Sequence, residues 1–277
     1  MTPHPDPLPH GERGGDFGER GFCMIYESPR YLFSGDQYLT VEIGDEMTLQ
    51  ANFKVIGLDL AVKQAKITGV VETFPGWRSL LLHYDSLVVR TEDLISELQK
   101  VAGQIPDVQK VPSRLIELPV KYGGKWGPDL EFIAKSNGIS ADEVVRIHSE
   151  TIHWVGMVGF TPGSPQLMQL NPPLLLSVPK YTSPRIYTPK GTVALGGSIT
   201  AIYPVVSPGG YQMMGLTPVP IYDPFQSLHI FEESPVLLRI GDRIQFVRVD
   251  EGEFDLARQK VWEGSYQYKI KEESYSL

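Results

Sequence analysis

Apolar and polar positions along this chain follow two different periods, and the change between them marks its organisation. Tyr38-Leu-Thr-Val-Glu-Ile43 is a short β-type run that ends at Gly44-Asp45. From Met47 to Lys66 the apolar residues Leu49, Phe53, Ile56, Leu60 and Val62 fall close to helical spacing despite Gly57. Val70-Val71 and Ser79 to Tyr84 are strand-like runs separated by the turn-forming Pro75-Gly76. Thr91 to Val101 predicts a helix. Thr91 can cap its start, Glu92 and Asp93 suit the positive end of its dipole, and Leu94, Leu98 and Val101 share a face. These elements predict a small amino-terminal α/β domain over residues 24–112.

The polar, proline-bearing stretch Gln104 to Ser113 has the composition of a linker. Beyond it Arg114 to Val120 is extended, and Asp129 to Asn137 predicts a short helix stopped by Gly138. Ser140-Ala-Asp-Glu143 carries the capping-box pattern and opens a second helix through Val144, Val145 and Ile147 to His148. From Gly156 to Pro224 the character changes: 9 Gly and 12 Pro fall within 69 residues, interleaved with β-prone runs such as Val193-Ala194-Leu195 and Ile199 to Tyr203. A disordered segment would lack those apolar runs, so a loop-rich β barrel or sandwich is predicted for residues 113–277. Pro235 to Ile240 and Arg243 to Val249 are the last expected strands. Phe254 to Trp262 is a final helix or strand region before a polar tail.

Composition narrows the class. Gly (27) and Pro (23) make up about 18% of the 277 residues against a usual share of roughly 12%, which disfavours an all-helical bundle because neither suits helix interiors. The formal charge is −8 and the basic residues are scattered, so nucleic-acid binding, which calls for clustered Lys and Arg, is set aside. No apolar run approaches the roughly 18 residues of a membrane span. The lone cysteine, Cys23, allows neither an internal disulfide nor a cysteine-based zinc site, and a reducing, cytoplasmic setting fits.

Generic motifs are mostly missing. The chain has no G-x-x-x-x-G-K-[ST] phosphate loop, HExxH, CxxC or EF-hand pattern. Gly159-Phe-Thr-Pro-Gly163 imitates a nucleophile elbow with Thr161 for serine. Pro162 removes the backbone N–H that would help bind an oxyanion, so a tight turn is the simpler reading. Ser207-Pro-Gly-Gly210 can present N–H groups to a carboxylate or phosphate, or be an ordinary turn. His83 and His229, each between apolar neighbours, look structural, and His153 lies too close to a turn to place. His148 ends the capped helix, where the dipole favours its protonated form; a functional role and a plain helix terminus both remain open.

From Leu118 onward the chain carries LPVKYGGKWGPDLEFIAKSNGISADEVVRIHSE, GFTPGSPQL, SPRIYTPKGTVALGG, TAIYPVVSPGGYQMMGLTP and YDP; nearer the amino terminus stand PRYLFSGDQYLTVEIGD and RSLLLHYD. Together, from about Pro29 to Val249, these resemble the allophanate hydrolase subunit 1 family, also called the carboxyltransferase C/D-subdomain family. The family includes the 5-oxoprolinase subunit PxpB and the kinase inhibitor KipI. The resemblance implies an α+β, β-rich fold: a small amino-terminal α/β domain followed by a cyclophilin-like β barrel. It implies a subunit of a hetero-oligomeric, ATP-dependent amidohydrolase that opens 5-oxoproline or a related lactam or amide and is inactive alone. Its partner would be a subunit 2 (PxpC-like or KipA-like) protein, with a PxpA-like subunit completing the enzyme. Two alternatives stand beside it: a KipI-like inhibitor of a sensor histidine kinase, and a biotin-dependent carboxyltransferase component acting on a urea-like amide. ATP would act through the complex, and no metal is expected on this chain.

Carried over residue by residue, Tyr122, Asp129, His148, Arg185, Tyr203, Ser207, Gly209, Gly210, Gln212 and Thr217 match the family pattern. The resemblance casts Arg185, His148 and Asp129 as catalytic. It casts Tyr122, Lys180, Tyr203, Ser207, Gly209, Gly210, Gln212 and Thr217 as substrate- or anion-binding. Lactam opening and carboxyl transfer both build anionic oxygens. Arg185 and Lys180 would supply positive charge, the Gly209-Gly210 turn N–H donors, and His148 and Asp129 proton transfer. Three departures matter. The usual P-G-F-P-Y is Pro162-Gly-Ser-Pro-Gln166, so Ser164 and Gln166 replace two aromatics; Leu216 replaces an arginine; and Pro179-Lys180 replaces a P-R pair. Lysine keeps the charge but not the bidentate fork.

The first 23 residues stand apart. They carry Pro at 3, 5, 7 and 9 and Gly at 11, 14, 15, 18 and 21, with no apolar core of the kind a secretory signal needs. PHPDPLPHGERG resembles the translation of a bacterial intergenic repeat. A disordered tail or a spurious leader is expected, with Met24 as the start, so His4 and His10 are not counted as ligands. Mass spectrometry of the native protein is expected to show Met24 at the amino terminus; peptides from residues 2–20 would refute this.

Overall fold

The computed structural model describes residues 25–103 and 108–277. The leader, with His4, His10 and Cys23, and residues 104–107 of the expected linker lie outside the described residues.

The amino-terminal part comprises β1 (Ile25–Phe33), β2 (Tyr38–Gly44), α1 (Leu49–Ala65), β3 (Val70–Pro75), β4 (Ser79–Tyr84) and α2 (Thr91–Gly103). The strands form one antiparallel sheet in the order β1-β2-β4-β3. Strand alternation sends Leu39, Val41 and Ile43, with Leu80, Leu82 and Tyr84, to one face. There they are buried against Val55, Leu58 and Val62 of α1 and Leu94 and Leu98 of α2. Thr48 caps α1, its Oγ1 accepting the Ala51 N–H at 3.1 Å. Thr91 does not cap α2. Its hydroxyl lies 2.6 Å from the buried Tyr84 hydroxyl, which needs a partner there, and so ties the helix to β4.

The second part contains β5 (Lys110–Tyr122), α3 (Leu130–Asn137), α4 (Ala141–Glu150), β6 (Ile152–Val158), β7 (Pro165–Gln169), β8 (Arg185–Thr188), β9 (Thr192–Gly196), β10 (Ile199–Ile202), β11 (Ser207–Gly209), β12 (Gln212–Leu216), β13 (Arg243–Arg248), α5 (Glu251–Trp262) and β14 (Lys269–Ser276). Among the described residues, seven strands close a barrel in the order β5-β12-β9-β10-β7-β6-β13. Closure depends on the length of β5. Its end, at Lys121 and Tyr122, pairs with β12, while its beginning pairs antiparallel with β14 and its middle runs parallel to β13. β8 and β11 form a separate ribbon.

Several local expectations shift. β5 begins at Lys110, inside the stretch expected to be a linker, and the expected polar tail is the strand β14. Residues 235–240 are not a strand: Leu237 and Leu238 are buried, but only Val236 makes a bridge, to Tyr222. Asp242 explains this. Its carboxylate accepts the Arg239 N–H at 2.7 Å and a bidentate pair from Arg114, whose Nη2 also donates to the Leu237 carbonyl, bending the segment into a loop. Ser140 caps α4 through the Glu143 N–H, but Glu143 turns to Arg146, so the reciprocal half of the box is not made. A complete box sits instead at Asp250 and Glu253 of α5.

The two sheets meet over Phe53, Ile56, Trp77, Val111 and Trp154. In their midst Asn52 is fully buried. Its Nδ2 donates to the carbonyls of Gly76, Trp77 and Gly156, and its Oδ1 accepts the Trp154 indole N–H at 2.8 Å. Gly156 is the extra residue of a bulge in β6 opposite β7. A Cβ there would lie 2.0 Å from the Trp77 ring, so only glycine admits that side chain. Asn52→Leu is expected to cost about 3 kcal/mol, because several buried polar groups lose their partners at once. Urea unfolding measures it, and a loss below about 0.5 kcal/mol would refute the stitching role.

Inside the barrel His148 and His153 are fully buried, ring centroids 4.5 Å apart, and both pack on Phe246. His148 Nδ1 lies 2.8 Å from the Tyr122 hydroxyl and Nε2 3.3 Å from Thr200 Oγ1; His153 Nδ1 lies 3.0 Å from the Thr151 carbonyl. Burial first, and the neighbouring His153 second, hold His148 well below the usual histidine range; burial takes His153 down to about 3. This reverses the expectation that the helix end favours a protonated His148, because desolvation outweighs a dipole effect of about 1 kcal/mol. The unfolded chain therefore binds more protons than the native one. Stability is complete above about pH 6.5 and falls as the pH drops toward 3, by at most about 1.4 kcal/mol per pH unit for each ring. Denaturation midpoints between pH 7 and 5 should show this fall, with a shallower slope in His153→Phe; identical slopes would refute it.

Candidate functional site

Four of the expected residues meet in one cavity of about 320 Å³. Lys180, Tyr203, Gly209 and Gly210 line it together with Phe160, Ser164, Gln166, Ala201 and Tyr211. Its walls come from adjacent barrel strands, since Ala201 of β10 pairs directly with Gln166 of β7. A strap at residues 179–181 lies along residues 210–212. The Tyr181 N–H donates to the Gly210 carbonyl at 2.8 Å and Gln212 Nε2 to the Pro179 carbonyl at 2.9 Å. This places the Lys180 ammonium 5.0 Å from the centre of the Tyr211 ring. Gly209 is needed as glycine, for a Cβ would lie 2.5 Å from the Tyr203 hydroxyl oxygen and 2.6 Å from Thr188 Oγ1. Phe160, exposed and left-handed at φ 72°, stands in the turn between β6 and β7. That turn replaces the imitation nucleophile elbow: the Gly159 N–H bonds the Ser164 carbonyl, and the Thr161 hydroxyl is buried without a partner among the described residues.

The lining holds one cation, several N–H and O–H donors, and no carboxylate. Burial raises the Tyr203 hydroxyl above the usual tyrosine range, keeping it a protonated donor. Gln166 is held from outside the barrel, its Oε1 accepting the Trp77 indole N–H at 3.2 Å.

Asp129 and Arg185 do not line this cavity; they connect to it through Tyr181 of the strap and through Gly209. Asp129 occupies the cap position of α3, yet its carboxylate turns from the helix to accept the Met213 N–H at 2.7 Å, both of its oxygens lie within 2.9 Å of Arg185 Nη2, and the Tyr181 hydroxyl also donates to it. Arg185 stacks over the Tyr181 ring at 4.6 Å and pairs through its backbone with Gly209. Burial, then the Asp129 hydrogen bond, raise the Tyr181 hydroxyl well above its ordinary range. The ion pair thus braces the strap and the end of β11, where Gly209 lines the cavity.

The other expected residues lie elsewhere. Thr217 lines a second crevice of about 330 Å³ with Lys190, Leu216 and Arg258, and Tyr203 borders both spaces. Gln212 acts on the strap. Ser207 pairs with Thr188 across the β8–β11 ribbon, and both hydroxyls are buried without partners among the described residues. Tyr122 and His148 belong to the barrel core. His83 stacks on Tyr38 at 4.7 Å, and His229 is exposed and pairs with Glu232, which raises its pKa. Tyr181, Tyr211 and Trp77 were missed. The only hint was position, an aromatic beside Lys180, another after the paired glycines and a third after Pro75-Gly76. Among the described residues no three His, Cys, Asp or Glu side chains converge as a metal site, and no helix is long and apolar enough to cross a membrane.

The chain is similar to known proteins along most of its length. The family model described as carboxyltransferase domain, subdomain C and D, matches residues 29–231. The chain is 32% identical over 236 residues to a 5-oxoprolinase subunit of Bacillus subtilis (strain 168), covering 82% of this chain and 95% of that protein. It is 35% identical over 226 residues to the like-named 5-oxoprolinase subunit of Escherichia coli O157:H7, covering 80% of this chain and 97% of that one. Among solved structures, urea carboxylase of Kluyveromyces lactis superposes with a TM-score of 0.79 at 26% identity, over 90% of this chain and 24% of that chain. Since the match spans more than half of its length, the chain belongs to the family of carboxyltransferase-domain proteins with subdomains C and D.

Proposed function

We propose that this chain is a subunit of a hetero-oligomeric, ATP-dependent amidohydrolase of the 5-oxoprolinase type, opening 5-oxoproline or a related lactam together with a subunit 2 partner. The observation that carries this reading is the near-complete match to two 5-oxoprolinase subunits, covering 95% and 97% of their lengths.

The cavity chemistry agrees. Opening an unactivated lactam builds negative charge on its oxygen, and cations and aimed donors stabilise such charge best in a site prepared for it. The Lys180 ammonium and the donors of the Gly209-Gly210 turn serve that charge or a substrate carboxylate. One lysine and a cavity of about 320 Å³ suit a carboxylate or a single phosphoryl group. When bound in the complex, ATP would supply the activation of the amide oxygen. Asp129 and Arg185 position the strap, and Tyr122 and His148 hold the barrel without touching substrate. A second reading, a biotin-dependent carboxyltransferase component acting on a urea-like amide, is favoured by the likeness to urea carboxylase.

Co-purification with the subunit 2 partner, followed by ATP hydrolysis with 5-oxoproline, urea and other lactams, tests these readings. Stimulation by 5-oxoproline is expected. No stimulation by any lactam would overturn the first reading, and biotin-dependent carboxylation of urea would favour the second. Lys180→Met is expected to lower kcat/KM about tenfold or more, as loss of one charge-assisted contact does. Arg185→Ala is expected to do the same through loss of the brace; unchanged turnover in that variant would reject its role.

A further inference from the structure

We propose that Gln166 is the specificity-determining donor of the cavity, that Trp77 is the positioning residue that aims it, and that together with Lys180 it selects a small carboxylate. The proposal deepens the amidohydrolase reading and rests on it only for the amide part of the ligand.

An indole N–H can donate but cannot accept, so the atom of Gln166 that faces Trp77 Nε1 at 3.2 Å must be its amide oxygen. The two N–H groups then occupy the other branch of the amide, and no hydrogen bond within the protein uses them among the described residues. Gln166 lines the cavity that also holds Lys180 and no carboxylate. An amide left free to flip could present oxygen or nitrogen to a ligand with little preference. Trp77 removes that freedom, leaving a donor beside a cation and so favouring an anionic oxygen.

Trp77 itself is firmly placed. It is 5% exposed, at the turn between β3 and β4. Asn52 binds its carbonyl, and its ring fills the space left by the missing Cβ of Gly156. The donor is therefore aimed by the amino-terminal sheet although it belongs to the barrel.

The test is ligand-observed NMR titration of the full-length chain with three probes: 5-oxoproline, cyclopentanecarboxylate and 2-pyrrolidinone. Both carboxylates are expected to bind at least about tenfold more tightly than the uncharged lactam. Gln166→Glu, which puts an acceptor and a charge in place of the donor, is expected to weaken both carboxylates about tenfold or more. Trp77→Phe removes the indole N–H and part of the ring packed on Gly156; it is expected to weaken them about threefold to tenfold and to lower the melting temperature, while still binding them in its folded form. The Trp77 indole ¹⁵N–¹H signal should shift on adding cyclopentanecarboxylate to the native chain and stay still in Gln166→Leu. Carboxylate binding unchanged in Gln166→Glu, or no carboxylate binding to the native chain, would overturn the proposal. If the reconstituted complex opens no lactam while cyclopentanecarboxylate still binds in a Gln166-dependent way, the amidohydrolase reading alone falls and this proposal stands.

Discussion

The buried amide of Asn52 is the interaction on which the arrangement of the two sheets depends. A primary amide has two donors and an acceptor on one short side chain. Here they serve carbonyls of the β3–β4 turn, a carbonyl of the β6 bulge and the indole of Trp154. A purely apolar contact between the sheets would tolerate sliding, since dispersion and hydrophobic burial have little directionality. The amide does not, because every displaced group would be buried without a partner. It fixes the turn that carries Trp77, and Trp77 in turn reaches Gly156 and Gln166.

Charge is distributed unevenly around the cavity, and the unevenness has a structural origin. Arg185 has the stronger anion-binding chemistry, but its guanidinium is engaged by Asp129 and stacked on Tyr181. Lys180, on the strap held by that pair, keeps its cation on the cavity surface. The ion pair works as a brace and the lysine as the exposed charge. Burial makes His148 and His153 neutral packing groups: both His148 nitrogens face hydroxyls and His153 Nδ1 faces a carbonyl, while His153 Nε2 is buried without a partner among the described residues.

Much of the local structure was legible along the chain. The helix periodicity between Met47 and Lys66 appears as α1, the Pro75-Gly76 turn separates β3 from β4, and Gly138 ends α3 in the left-handed region at φ 68°. These depend on neighbours a few residues apart. β1 and β14 were not legible, because an edge strand with mixed polarity owes its conformation to a distant partner: β14 exists where Ser274 meets Pro112 and Tyr275 meets Val111. The segment 235–240 looked like a strand because its apolar residues are buried, yet its backbone is bent by Asp242 and Arg114.

The cavity divides in the same way. By itself the sequence determined the family resemblance, the glycine pair at 209–210, the cation at 180 and the unusual Ser164 and Gln166, because each is a matter of residue identity at a position in a motif. Tertiary structure alone decided that Arg185 faces Asp129, that His148 is sealed in the core, and that Gln166 is oriented by a tryptophan 89 residues away. Protonation, pairing and the direction of an amide are set by what lies within a few ångströms in space. Chain order does not specify those neighbours until the barrel closes and Asn52 fastens the sheet beside it.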